Sequence, residues 1–203
     1  MFYDAVANKH GLPNDPFKAL VAPRPIGWVS SLSKEGIVNL APYSFFNAFA
    51  EDPHYVGVGA SRRMTGSLKD TLANVEATGE FTLSLATWGL REAMNMTSAN
   101  ANPGIDEFDL AGLEKAPSRL IKPPRVKASP SALECRLFKI VELPSDDGSV
   151  ENNLILGRVV GIHIDDRFIE NGRVNTAAMQ LIARLGYSEY ATVAEAWRMR
   201  RPS

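Results

Sequence analysis

In "SRRMTGSLKDT", residues 61–71, Ser61 and Thr71 bracket Arg62, Arg63 and Lys69. Hydroxyls and cations at this density suit a phosphate, because each charge-assisted hydrogen bond is worth about 1.5–3 kcal/mol. Backbone amides at a helix start near Ser67–Lys69 would add a favourable dipole. Upstream, "GWVSS" ends in the hydroxyls of Ser30 and Ser31, and "YSFFN" sets the rings of Tyr43, Phe45 and Phe46 beside polar Ser44 and Asn47. Rings can pack on the face of a planar heterocycle, while backbone left unpaired by irregular structure meets its edge. Together the three stretches could hold a flat aromatic ligand that carries an anion. Plainer roles are open to the same residues, with Phe45, Phe46 and Phe49 as core and Arg62, Arg63, Lys69 and Asp70 as a solvated helix face.

Other chemistries find no footing. His10, His54 and His163 are scattered, without the paired spacing of a zinc site, and there is no Gly-x-Ser-x-Gly elbow. Cys135 is the only cysteine, so no internal disulfide forms, and its place in a strand pattern reads as a buried, inert thiol. The nearest dinucleotide fingerprint, "GVGASR", has Arg62 where the third glycine belongs. Lys plus Arg number 22 and Asp plus Glu 23, a net charge of -1, which provides no global field for nucleic acid or an anionic membrane. Asp4, Lys9 and Asp15 interrupt the apolar core that a signal peptide needs, and no run reaches membrane-spanning length. A reducing cytoplasm is the expected home.

The elements that must position these residues read as short strands. A hairpin is expected from Ile26–Val29 through a turn at Ser33–Gly36 to Ile37–Ala41, and "HYVGVGAS" and "EFTLSLAT" are further strands, the latter alternating as if half buried. Leu68, Leu72 and Val75 fall at helical spacing between them, with Ser67 as N-cap and Gly79 as the stop. Residues 87–98 read as a second helix, and prolines punctuate the stretch from Asn100 to Pro130. Strands resume in "ALECRLFKIVEL", where Glu134 and Arg136 alternate with apolar neighbours, and in "NNLILGRVVGIHIDD", while the ending mixes helical spacing with a Gly-Tyr break. With no repeat and no regular strand–helix alternation, residues 1–203 read as one mainly β domain, a barrel with helical insertions.

The succession "APRPIGWVSSLSKEGIVNLAPYSFFNAFAEDP", "KDTLANVEATGEFTLSL", "DEFDLAGL", "SPSALECRL" and "ILGRVVGIHIDD" resembles the flavin reductase-like family, an FMN-binding split β-barrel, from about Pro23 to Tyr190. The resemblance implies a homodimer with one FMN per subunit near the interface, and hydride transfer from NAD(P)H to the flavin and on to a second acceptor. A non-enzymatic FMN-binding or electron-relay protein would share every one of these stretches. A pyridoxamine-phosphate oxidase relative would need a second phosphate pocket, for which no second basic cluster is evident. Carried over by position, the resemblance assigns Ser30 and Ser31 to the flavin edge or its tail, and Ser44, Phe45, Phe46 and Asn47 to the isoalloxazine. Ser61, Lys69 and Thr71, with Arg62 beside them, take the phosphate. Where relatives often read Arg-Leu-Gly-Gly, this chain has "ARLGYSEY"; Arg184 and Tyr187 would then shape the space over the flavin, unless they simply end a helix. Ile105, Phe108, Leu110, Leu113 and Leu120 are expected to cross to the partner subunit and help cover the cofactor, the alternative being that they pack on their own barrel.

Overall fold

The computed structural model describes residues 1–61, 70–99, 104–146 and 152–202. The chain opens with a one-turn helix α1 (Phe17–Leu20) and a short strand β1 (Arg24–Pro25), then runs through β2 (Gly27–Leu32), β3 (Val38–Tyr43), β4 (Phe46–Glu51) and β5 (His54–Ser61). Helix α2 (Asp70–Thr78) ends at Gly79, whose φ of +72° a side chain would strain, and leads into β6 (Glu80–Leu85). A 3-10 turn (Trp88–Leu90), α3 (Arg91–Met96), α4 (Glu107–Leu110) and the paired strands β7 (Lys115–Ala116) and β8 (Arg125–Val126) follow. The long strands β9 (Ser131–Leu143) and β10 (Asn152–Ile164) precede a small hairpin, β11 (Ile169–Glu170) and β12 (Arg173–Val174), and then β13 (Ile182–Arg184) and β14 (Tyr190–Thr192).

One seven-stranded antiparallel sheet carries the order β3-β2-β6-β9-β10-β5-β4, and a three-stranded sheet carries β1-β13-β14. The expected hairpin is present, with Gly27 opposite Tyr43 and Leu32 opposite Val38. The large sheet and α2 enclose one core, in which Val29, Val58, Leu72, Val75, Phe81 and Cys135 meet. A second core on the outer side joins Trp28, Leu40, Met94, Phe108, Val126 and Ile182. Among the described residues no helix is long and apolar enough to cross a membrane, and no cluster of His, Cys, Asp or Glu could hold a metal.

Strand β6, Phe108 and Glu134 depart from expectation for one reason: the chain from 105 to 130 covers the outer face of β2 and β6. Strand β6 is therefore buried on both faces rather than half buried. Its outward polar groups are consumed by that cover, Thr82 Oγ1 donating to the Pro123 carbonyl (2.8 Å) and the Val126 amide donating to Ser84 Oγ (3.1 Å). Phe108, expected to reach a partner subunit, is 0% exposed within its own chain. Leu113 packs on the same core, whereas Ile105, Leu110 and Leu120 are exposed. Glu134 is not a solvent-facing residue but fully buried. The "YSFFN" segment is irregular only at Ser44 and Phe45, since Phe46 and Asn47 already belong to β4. The ending forms strands β13 and β14 instead of a helix, which removes the helix-end reading of Arg184.

Close approach of the strands fixes where glycine is required. A Cβ on Gly157 would lie 2.3 Å from Phe81 Cζ and 2.8 Å from its Cε1. Phe81 is 1% exposed and has nowhere to swing. Gly157→Ala is expected to destabilise the fold by about 1–3 kcal/mol, the usual range for overpacking. Urea unfolding checks this, and an unchanged midpoint would mean the barrel yields more easily than the packing implies.

Candidate functional site

A cleft of about 600 Å³ opens between the two sheets, within the roughly 300–1,000 Å³ of small-molecule sites. The barrel side of its lining comes from β3 and β5, from the starts of α2 and β10, and from Glu107 on α4. The small sheet contributes Arg24 and Arg184, joined by Lys18 of α1 and by Tyr187.

Polar groups on the barrel side hold one another in place. Asn39 is 7% exposed; its Oδ1 accepts from Thr71 Oγ1 (3.3 Å) and its Nδ2 donates to Glu107 Oε2 (3.4 Å). The same Glu107 oxygen accepts the Leu40 amide at 2.8 Å. Burial pushes the Glu107 carboxyl above the usual carboxylate range, against the pull of the backbone amides of Leu40 and Glu107; the charges of Asp70 and Asp106 push it further up. Asn153, 3% exposed, leaves its Nδ2 without a partner among the described residues. An orphaned buried amide facing a cleft is a donor that a ligand acceptor can satisfy.

Phe45 sits at the kink between β3 and β4, pinned from behind. Its carbonyl accepts the Gly59 amide at 2.6 Å, and a Cβ on Gly59 would lie 2.8 Å from Phe45 Cβ. Arg24 lies with its guanidinium carbon 5.7 Å from the centroid of the Phe45 ring. The Arg24 side chain also donates to the carbonyls of Lys18 and Val21, and to that of Leu185 at 2.8 Å. It thereby ties α1 to the β13–β14 turn. Burial, and then the charge of Arg184, draw its pKa below the ordinary arginine value. On the rim, Tyr187 has φ +53° and lies 52% exposed, its carbonyl accepting from Arg184. That left-handed backbone costs a non-glycine residue roughly 1 kcal/mol or more.

Of the residues selected from sequence, Ser44, Phe45, Ser61, Thr71 and Arg184 line this cleft. Ser30, Ser31, Phe46 and Asn47 do not. Ser30 and Ser31 are 0% exposed inside the sheet, where Ser31 Oγ accepts from Asn74 Nδ2 (3.2 Å) and so braces α2 from behind. Phe46 turns toward Gly27 and the barrel core, and Asn47 Oδ1 accepts the Ala48 amide at 2.9 Å. Arg62 and Lys69 lie outside the described residues, as does Ser67. Lys18, Arg24, Asn39, Glu107 and Asn153 were not singled out from sequence. The Asn152-Asn153 pair opening a strand of otherwise apolar pattern is the one local signal that could have drawn notice.

Comparison with known proteins agrees with this architecture. Residues 20–179 match the family description "Flavin reductase like domain". A protein of Aquifex aeolicus is 38% identical over 172 residues, covering 84% of this chain and 85% of that one. Among solved structures, nitrilotriacetate monooxygenase component B from Bacillus cereus superposes with a TM-score of 0.88 at 32% identity, covering 98% of both chains. The Pseudomonas fluorescens 2-nitrobenzoate 2-nitroreductase NbaA gives 0.82 at 29% identity over 96% of this chain and 95% of its own. A split barrel domain protein from Shewanella frigidimarina gives 0.76 at 21% identity, covering 92% and 89%, and so speaks to the fold. With its coiled seven-stranded sheet and this match over most of its length, the chain belongs to the flavin reductase-like family and folds as a split β-barrel.

Proposed function

We propose that the cleft binds FMN and that the protein is an NAD(P)H-dependent oxidoreductase of the flavin reductase type. The observation that carries this reading is the unpartnered Asn153 amide in a cleft also lined by aromatic rings, hydroxyls and cations. Such a donor set fits a planar heterocycle bearing a phosphate. Bound FMN supplies the two-electron chemistry between NAD(P)H and a second acceptor. The chain's own residues bind and orient: Asn153 offers its amide, Phe45 its ring, and Ser61 and Thr71 their hydroxyls near the sequence that carries Arg62 and Lys69. The redox roles named for the Bacillus and Pseudomonas structures support the reaction class. A homodimer in a reducing cytoplasm completes the reading; exposed Phe49 and Phe138 offer apolar surface for a second copy.

Purified protein is expected to be yellow, to release FMN rather than FAD, and to oxidise NAD(P)H steadily when FMN is added. A colourless chain that takes up no FMN would defeat the proposal, and FMN uptake without NAD(P)H oxidation would leave a binding protein. Asn153→Leu sharpens the test. Losing one hydrogen bond should weaken FMN binding about five- to tenfold, or roughly 1–1.5 kcal/mol. The FMN-free protein should be no less stable, because an orphaned amide is removed. Unchanged FMN affinity on titration would take Asn153 out of the site.

A further inference from the structure

Three cations gather on one side of the cleft, and among the described residues none of them is paired with a carboxylate. Arg24 and Arg184 stand directly opposite each other in the β1–β13 pairing, an arrangement of like charges that destabilises a sheet unless something compensates. Lys18 lines the same cleft. The hydrogen bonds described for the two arginines go to backbone carbonyls and to the Tyr190 hydroxyl, none to a carboxylate. Arg24 is 7% exposed, its two terminal nitrogens given to carbonyls and its Nε buried without a partner among the described residues, so it contributes charge rather than contact. Arg184 is different. Its guanidinium lies 4.5 Å from the Tyr190 ring centroid and bonds the Tyr190 hydroxyl and the Tyr187 carbonyl, which leaves part of its donor capacity for a ligand. The same bond to the Tyr187 carbonyl holds that residue in its left-handed conformation, with its ring half exposed on the rim. This hairpin lies beyond the residues that match the family description, which ends at 179.

We propose that Arg184 and Tyr187 form a specificity-determining rim that selects, as the second reactant, a flat aromatic ring carrying an anionic group. Arg184, backed by the charge of Arg24, takes the anion, and Tyr187 packs against the ring. The inference deepens the functional reading above by naming the chemical class that reaches the cleft after FMN.

Calorimetric titration of FMN-saturated protein with benzoate, benzamide and acetate tests it. Benzoate should bind about tenfold or more tighter than uncharged benzamide, the size of effect a charge-assisted bond supports, and tighter than ringless acetate. Arg184→Gln should erase the preference for benzoate over benzamide, and Tyr187→Gly the preference for benzoate over acetate. Glycine suits the backbone at 187, so the second variant should fold. Nicotinamide mononucleotide serves as a fourth probe: tighter binding than benzoate assigns the rim to a phosphate-bearing ring, weaker binding to an aromatic carboxylate. Three equal affinities in the wild type, or ratios unchanged in both variants, would overturn the proposal. So would an FMN affinity that falls in step with the probes, since the two residues would then belong to the FMN bed. If the wild type takes up no FMN, the functional reading fails instead, and the same ratios measured on the FMN-free chain decide the rim.

Discussion

Glu134→Ala is expected to destabilise the fold by about 2–5 kcal/mol, because two buried amides would lose their acceptor at about 1–3 kcal/mol each. Glu134 is 0% exposed, yet three donors converge on its carboxylate. One oxygen accepts the Arg119 amide (2.7 Å) and lies 2.5 Å from His163 Nε2, and the other accepts the Leu120 amide (2.7 Å). Alanine would orphan both amides and leave His163 without its acid, so the cover over β6 should loosen from 118 to 124. Urea unfolding at neutral pH measures the loss, and a change below about 1 kcal/mol would mean that water enters and replaces the carboxylate.

The same residue sets a pH dependence whose sign follows from its surroundings. Burial alone would raise the Glu134 carboxyl, but the bonds from His163, Arg119 and Leu120, with the His163 charge, outweigh it and hold the group below the usual carboxylate range. A depressed folded-state pKa means stability that is fully present above the unfolded value, about 4.3, and lost as pH falls through the folded one. Glu107 acts the other way: its carboxyl is raised, so its charge opposes folding at neutral pH and that cost is relieved on acidification. The difference between wild type and Glu134→Gln should therefore shrink below about pH 4. A constant difference down to acid unfolding would contradict the assignment.

Sequence patterning placed the strands themselves, as in the hairpin of β2 and β3 and in the long pair β9–β10. It misled where a covering segment buries the outer face. Glu134, Thr82 and Ser84 look solvent-facing in the pattern, and only the path of residues 105–130 across the outer side of the sheet shows what their polar atoms are for. The cleft was half legible for a related reason. Ser44, Phe45, Ser61 and Thr71 sit in stretches whose composition draws the eye. Arg24, Asn39 and Asn153 sit on β1, β3 and β10, distant in sequence and not paired with one another, and meet only in the folded chain. Ser30 and Ser31 read as the end of a strand, whereas the strand runs on to Leu32, with Ser30 paired to both β3 and β6 and Ser31 paired to β3.

Phe108→Ala should cost about 3–5 kcal/mol, as for other fully buried aromatic side chains cut back to a methyl group. The ring is 0% exposed among Trp28, Leu40, Met94 and Val126. The strands on that side are anchored by their own hydrogen bonds, so the surroundings can collapse only partly into the cavity. The loss should also reach the cleft. Phe108 shares the four-residue α4 with Glu107, and the Asp106 side chain accepts the Phe108 amide at 2.9 Å to cap that turn. Displacing α4 would slacken the Glu107 bonds to the Leu40 amide and Asn39, which shape the barrel side of the cleft. FMN affinity should therefore fall together with stability. Because the burial is within one chain, the fall in unfolding midpoint should not depend on protein concentration. A deficit that grows on dilution would instead mean that Phe108 acts through a subunit interface, and a loss below about 1 kcal/mol would mean that α4 is not part of the core.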